Sequence, residues 1–114
     1  PLPDNSVGVI RAHDAIEHLK DKQFTMSEIH RVLAKGGILL SSTPSTDGRG
    51  AFQDPTHVSF WNENSFWYWC REEQARYINN TDVRFRECRL YTHFPSAWHQ
   101  QNNISYVVAH LEKI

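Results

Sequence analysis

The segment from Val7 to Pro44 constrains the fold more than any other part of the chain. Val7-Gly8-Val9-Ile10 is a short, nearly continuous apolar run that follows the turn residues Pro3-Asp4-Asn5-Ser6. Such a run suits a strand covered on both faces, as in a parallel sheet. From about Asp21 to Ala34 the apolar residues return at helical spacing. Met26, Ile29 and Leu33 follow i, i+3, i+7, and Phe24 and Val32 widen the stripe. Asp21 or the box Thr25-x-x-Glu28 is placed to cap this helix. Gly36-Gly37 is expected to end it, because glycine reaches φ > 0 without a Cβ clash. Ile38-Leu39-Leu40 begins a second strand and Pro44 stops it. Strand, helix, glycine turn and strand make a βαβ unit, whose crossover is right-handed.

Pro44 to Phe60 is long, polar and rich in Gly, Ser, Thr and Asp. A loop of that length inside a compact domain is usually functional or mobile. Asn62 can cap a following helix in which Phe66, Trp69 and Cys70 share a face that continues toward Tyr77. Val83–Tyr91 and Ile104–Leu111 read as the last strands, joined by a loop holding Pro95 and Trp98. The apolar parity shifts between Phe85 and Cys88, which predicts a bulge, and Val107-Val108-Ala109 reads as interior strand. The order β-α-β-loop-α-β-β leaves too few helices to cover both faces of a doubly wound sheet, so the unit reads as incomplete.

With 114 residues, the chain is one domain at most. Its 39% hydrophobic and 12% aromatic content supports a packed core rather than disorder. A net charge of -1 with no basic tract argues against nucleic acid held by bulk electrostatics. No apolar run approaches the roughly 20 residues that span a bilayer, so no membrane partner and a cytoplasmic protein are expected. Cys70 and Cys88 fit neither a zinc pattern nor a CxxC motif and read as two reduced thiols.

The run "LPDNSVGVIRAHDAIEHLKDKQFTMSEIHRVLAKGGILLSSTP" resembles the second half of a class I S-adenosylmethionine-dependent methyltransferase. The pieces that carry the resemblance are Val7 to Arg11, Glu17-His18, Glu28-Ile29-His30-Arg31-Val32-Leu33 with Gly36-Gly37, and Ile38 to Pro44. The resemblance implies an α/β fold: a partial Rossmann-like methyltransferase sheet, strands four to seven of the family, the last two an antiparallel hairpin, with flanking helices. It also implies S-adenosylmethionine as cofactor and a small-molecule acceptor. The family's cofactor turn, a G-x-G after a strand, has no counterpart here, since the Gly-Gly pair follows a helix. Residues 1–114 therefore read as the C-terminal portion of one methyltransferase domain whose cofactor-binding half is absent, and weak or absent cofactor binding is expected.

Two stretches concentrate chemistry. In "AHDAIEHL", His13 and His18 are five residues apart, about 140° around a helix, so they do not share a face, and no metal site is expected there. The resemblance places Ala12 to Ala15 at the C-terminal edge of a strand, where open α/β sheets bind ligands. It implies that Ala12, His13 and His18 bind cofactor and that His13 or Asp14 faces the acceptor. His13 is the candidate general base, with a pKa range suited to that task. Glu17 and His18 also read as residues that fix the loop by hydrogen bonding. In "DPTHVSFW", His57, Phe60 and Trp61 are the candidate acceptor-binding residues; the plainer alternative is that the aromatics pin the loop to the core. The rival to an enzyme is a non-catalytic α/β binding or self-assembly module, in which exposed apolar surface drives dimerisation or exchange of elements.

Overall fold

The computed structural model describes residues 1–114. Strand β1 (Val7–His13) is followed by a single 3-10 turn (Ile16–His18), helix α1 (Lys22–Val32) and strand β2 (Leu33–Pro44). Three short helices come next: α2 (Gly50–Gln53), α3 (Glu63–Phe66) and α4 (Glu72–Ala75). Strand β3 (Phe85–His93), helix α5 (Ala97–Gln101) and strand β4 (Tyr106–Lys113) complete the chain. The sheet order is β1-β2-β4-β3, with β1 parallel to β2 and β4 antiparallel to both of its neighbours. The expected βαβ unit and the closing antiparallel pair are therefore present, and β4 is an interior strand as Val107-Val108-Ala109 predicts.

Asp21 caps α1: its carboxylate accepts from the Phe24 N–H at 2.9 Å, so the earlier of the two caps is the one used. The helix does not end at Gly36-Gly37. It stops at Val32, because Leu33 turns extended, places its side chain in the core and pairs with Val7. Lys113, arriving from β4, donates to the carbonyls of His30 and Leu33 at 2.6 and 2.9 Å, satisfying acceptors that a helix C-terminus leaves free. Ala34–Gly37 bulge before pairing resumes at Val9 and Ile38, and Gly36 takes φ +81° within that bulge.

Asn62 caps α3 in a reciprocal box with Ser65. The helix expected to run on toward Tyr77 is broken instead. A 3-10 turn spans Trp67–Trp69, and Arg71 is extended before α4 begins. Arg71 lies 3.9 Å from the centre of the Trp67 ring and 3.3 Å from a Glu87 carboxylate oxygen. Three consecutive aromatics disfavour helix through lost χ1 freedom, and these contacts hold the break. Tyr77 is consequently exposed rather than on the buried stripe. The bulge expected between Phe85 and Cys88 appears as a register shift between Glu87 and Arg89.

The core sits on one face of the sheet. Met26, Trp61, Phe66 and Trp69 pack against Leu39, Phe85, Val107 and Leu111. The opposite face carries the rows Arg11, Leu40, His110, Arg89 and His13, Ser42, Val108, Tyr91. On that face Val9, Arg11, His13, Arg89 and Tyr91 are exposed. β1 is thus an edge strand covered on one face only, and the expectation of cover on both faces fails because no helix lies over the second.

Candidate functional site

β1 ends at His13, and the chain then needs a sharp change of direction. Asp14 provides it with φ +53°, a conformation that Asp tolerates better than most residues. Its N–H still donates to Ser42 at 2.9 Å, so the turn begins directly at the end of the parallel pair. The Asp14 carboxylate accepts from the Tyr106 hydroxyl at 2.7 Å. Burial and that bond push the Tyr106 hydroxyl well above its usual range, so it remains a donor. His13 lies against Arg11, whose guanidinium nitrogens approach its ring at 3.3 and 3.5 Å. His13, Asp14, Tyr106 and His99 share a cleft of about 450 Å³ on the open face of the sheet.

The turn Ile16–His18 then meets the second stretch. The Glu17 carbonyl accepts from the N–H groups of Val58 and Ser59 at 2.8 and 3.1 Å. Ser59 Oγ donates to the Ile16 carbonyl at 2.9 Å and accepts from the Trp61 indole N–H at 2.8 Å. Glu17 is buried to 2% exposure, and its Oε1 accepts from the Thr43 hydroxyl at 2.7 Å. These bonds join "AHDAIEHL" and "DPTHVSFW" into a single structural unit. Gly48 helps to hold the loop between them close to β4, since a Cβ there would lie 2.6 Å from the Asn103 carbonyl.

The candidate residues separate into distinct settings. Ala12 and His18 border an apolar cleft of about 460 Å³ between β1 and α1. His18 also reaches the other side of its turn, where its ring meets that of His57 edge-on at 5.0 Å. His57 is nearly buried and bonds the Ala51 carbonyl through Nδ1 at 3.1 Å. Phe60 is 39% exposed and stacks on Phe52 with ring centres 5.1 Å apart. Trp61 is fully buried and stacks on Phe66 at 4.9 Å. Trp61 is thereby a core residue with no surface to offer an acceptor, because its indole is what anchors Ser59 and the turn above it. The three residues His57, Phe60 and Trp61 do not form a common binding surface.

Two participants carried no usable local signal. Tyr106 reaches Asp14 only because β4 inserts beside β2, with Pro44 as its register partner. Asp54 opens a turn: its Oδ1 accepts from the Thr56 N–H and hydroxyl at 2.8 and 2.7 Å. Those bonds hold its carboxyl below the usual range. Its Oδ2, however, lies 3.5 Å from His57 Nε2.

Comparison with known proteins agrees with this architecture. Residues 1–41 match the family model described as a methyltransferase domain. A Mycolicibacterium smegmatis protein assigned as an S-adenosylmethionine-dependent methyltransferase is 44% identical over 62 residues, which is 51% of this chain and 24% of that protein. The chain thus spans about a quarter of that relative's length. Among solved structures, a Haloferax volcanii methyltransferase in complex with the Trm112 methyltransferase activator superposes with a TM-score of 0.69 at 14% identity. That match covers 99% of this chain and 57% of the other. The cyclase SpnF superposes with a TM-score of 0.66 at 15% identity, covering 99% of this chain and 53% of its own. The last two establish the fold, and a cyclase among them shows that the fold alone does not name a reaction. The family match over β1, α1 and most of β2, the mycobacterial relative and the shared fold agree, and over these segments the chain is similar to S-adenosylmethionine-dependent methyltransferases.

Proposed function

We propose that this chain supplies the acceptor side of an S-adenosylmethionine-dependent methyl transfer to a small molecule. The observation that carries this reading is the gathering of His13, Asp14 and Tyr106 at the C-terminal end of β1, beside the crossing point to β2. Methyl transfer is an in-line displacement: a bond forms between the acceptor's nucleophilic atom and the methyl carbon while the sulfonium S–C bond breaks, leaving a neutral thioether. Alignment supplies most of the acceleration. In this reading Ala12 and His18 lie toward the cofactor, Asp14 is held by Tyr106 to orient the acceptor, and His13 takes the proton that the acceptor loses. His57 borders a neighbouring cleft that Asp14 and Tyr106 also line, whereas Phe60 and Trp61 serve the loop.

The uncovered face of the sheet and the free edge of β1 support the reading that residues 1–114 are one portion of a larger methyltransferase domain. The open face equally offers a surface for a protein partner or a second copy, the self-assembly alternative. No helix is long and apolar enough to cross a membrane.

The test has two arms. The 114-residue chain titrated calorimetrically with S-adenosylmethionine is expected to show no binding tighter than millimolar, and micromolar affinity would overturn the partial-site reading. In the intact enzyme His13→Ala is expected to lower kcat more than tenfold with little change in the cofactor KM. An unchanged kcat removes His13 as the base.

A further inference from the structure

The chemistry between the two joined stretches is not accounted for by methyl transfer. His18 Nδ1 lies 3.2 Å from the Thr56 carbonyl oxygen, and His57 Nδ1 lies 3.1 Å from that of Ala51. A carbonyl only accepts, so both Nδ1 atoms carry the proton, and each uncharged ring is left with a bare lone pair on Nε2. Both Nε2 atoms approach the same oxygen. Glu17 Oε2 is 3.7 Å from His18 Nε2 and 4.0 Å from His57 Nε2. That oxygen is buried and has no hydrogen-bond donor, while its sister oxygen is satisfied by Thr43. Asp54 Oδ2 adds a further acceptor 3.5 Å from His57 Nε2. With both rings uncharged, acceptors converge from four side chains and no donor hydrogen lies among them. Buried acceptors in native proteins almost always find a partner.

We propose that Glu17, His18 and His57 form a binding site for one divalent transition-metal ion of the zinc or iron class, with Asp54 as a further oxygen ligand. Imidazole nitrogen suits these ions, whereas magnesium and calcium take oxygen-rich shells. A metal-bound histidine characteristically donates its other ring N–H to a carbonyl or carboxylate, which fixes the tautomer and aims the lone pair. Both histidines here already do so. The three ligand atoms lie within 4.8 Å of one another. Ligands about 2.0–2.2 Å from a tetrahedral zinc are roughly 3.4 Å apart, so the cluster closes around an ion with small rotations of the half-exposed His18 ring. Two carboxylates balance the ion's charge. The site borders a cleft of about 300 Å³ shared with Asp14 and Tyr106, which leaves room for a water or a ligand oxygen in the shell.

This site was invisible to spacing. His13 and His18 do not come together, and the second histidine arrives from a loop far along the chain. The experiment is a titration of the metal-stripped 114-residue chain with zinc chloride, followed by calorimetry and by the ring ¹⁵N signals of its seven histidines. One equivalent is expected to bind with submicromolar affinity, shifting the Nε2 signals of His18 and His57 and leaving those of His13, His93 and His110 in place. His18→Gln is expected to weaken binding at least tenfold. Because that ring is partly exposed, the variant keeps its core and carries the test even if His57→Gln unfolds. The proposal is overturned by an absence of saturable binding, by binding that His18→Gln leaves unchanged, or by zinc-induced shifts confined to the other histidines. Ring signals showing a proton on Nε2 of His18 or His57 that zinc does not displace would also overturn it, since an imidazolium then satisfies Glu17.

Discussion

Replacing Trp61 by Phe separates a core role from a binding role at the residue that joins the site to the core. The indole is fully buried between Phe66 and Trp69, with ring centres 4.9 and 5.9 Å away, and its N–H donates to Ser59. Phenylalanine keeps the six-membered ring and removes about 40 Å³, which costs about 1 kcal/mol at the roughly 24 cal/mol per Å³ seen for residual cavities. Lost burial of the removed carbons adds about 1 kcal/mol, and the lost hydrogen bond about 1 kcal/mol more. The sum is about 3 kcal/mol, a large fraction of the stability of a domain this size. Urea unfolding followed by far-UV circular dichroism reads it directly: with a slope of about 1.5 kcal/mol per molar, the midpoint falls by roughly 2 M. Phe60→Ala, on the surface beside Phe52, is expected to cost less than about 1 kcal/mol. A loss below about 0.5 kcal/mol for Trp61→Phe, with unchanged slope, would refute the placement of the indole in the core. Ser59 still donates to Ile16 in this variant, so the turn that presents Glu17 is expected to persist.

Two further outcomes follow from burial. The Cys70 thiol is pushed up to about 12, chiefly by burial and then by Glu87, whereas Cys88 is exposed on β3. At pH 8 only about one part in ten thousand of a thiol with that pKa is thiolate. A disulfide reagent is therefore expected to label one thiol rapidly, and Cys88→Ser to abolish that phase; two equally fast thiols would contradict the burial of Cys70. His30, packed edge-on against Phe85 at 5.3 Å, is held below its ordinary value by burial and then by the charge of Lys113. Its contribution to stability is complete above about pH 6.5, the unfolded value, and is lost as the unfolded chain takes up the proton first on going lower. His110 is shifted the same way by burial and by Arg89. Stability is expected to fall from pH 7.5 to pH 5, and His30→Gln to flatten part of that slope. A slope untouched by the substitution would remove His30 as a contributor.

Local pattern determined the elements whose causes are local. The period of Met26 and Ile29 made α1, Asp21 and Asn62 capped their helices, and the parity break before Cys88 marked a bulge, because each depends on neighbours within a turn or two. The end of α1 was not legible in the same way. Gly36-Gly37 looked like the stop, yet Leu33 leaves the helix earlier to reach the core and pair with Val7, a choice made by a strand far from it in sequence. The aromatic run Trp67 to Trp69 likewise has helical spacing, but Arg71 and Glu87 hold it open across the fold.

The candidate site divides along the same line. The resemblance placed Ala12 to Ala15 at a strand exit, and the sequence by itself identified two stretches rich in titratable groups, since side-chain chemistry is a local property. Only the tertiary structure decided that these stretches are one unit. Ser59, Trp61 and the Glu17 carbonyl lock them together, β4 brings Tyr106 to Asp14, and His57 sets its ring edge-on to that of His18 beside Glu17. Spacing along the chain records which residues can share a helix face. It does not record which loop folds back over which turn, because that is set by burial of Trp61 and by the hydrogen bonds that its burial makes obligatory.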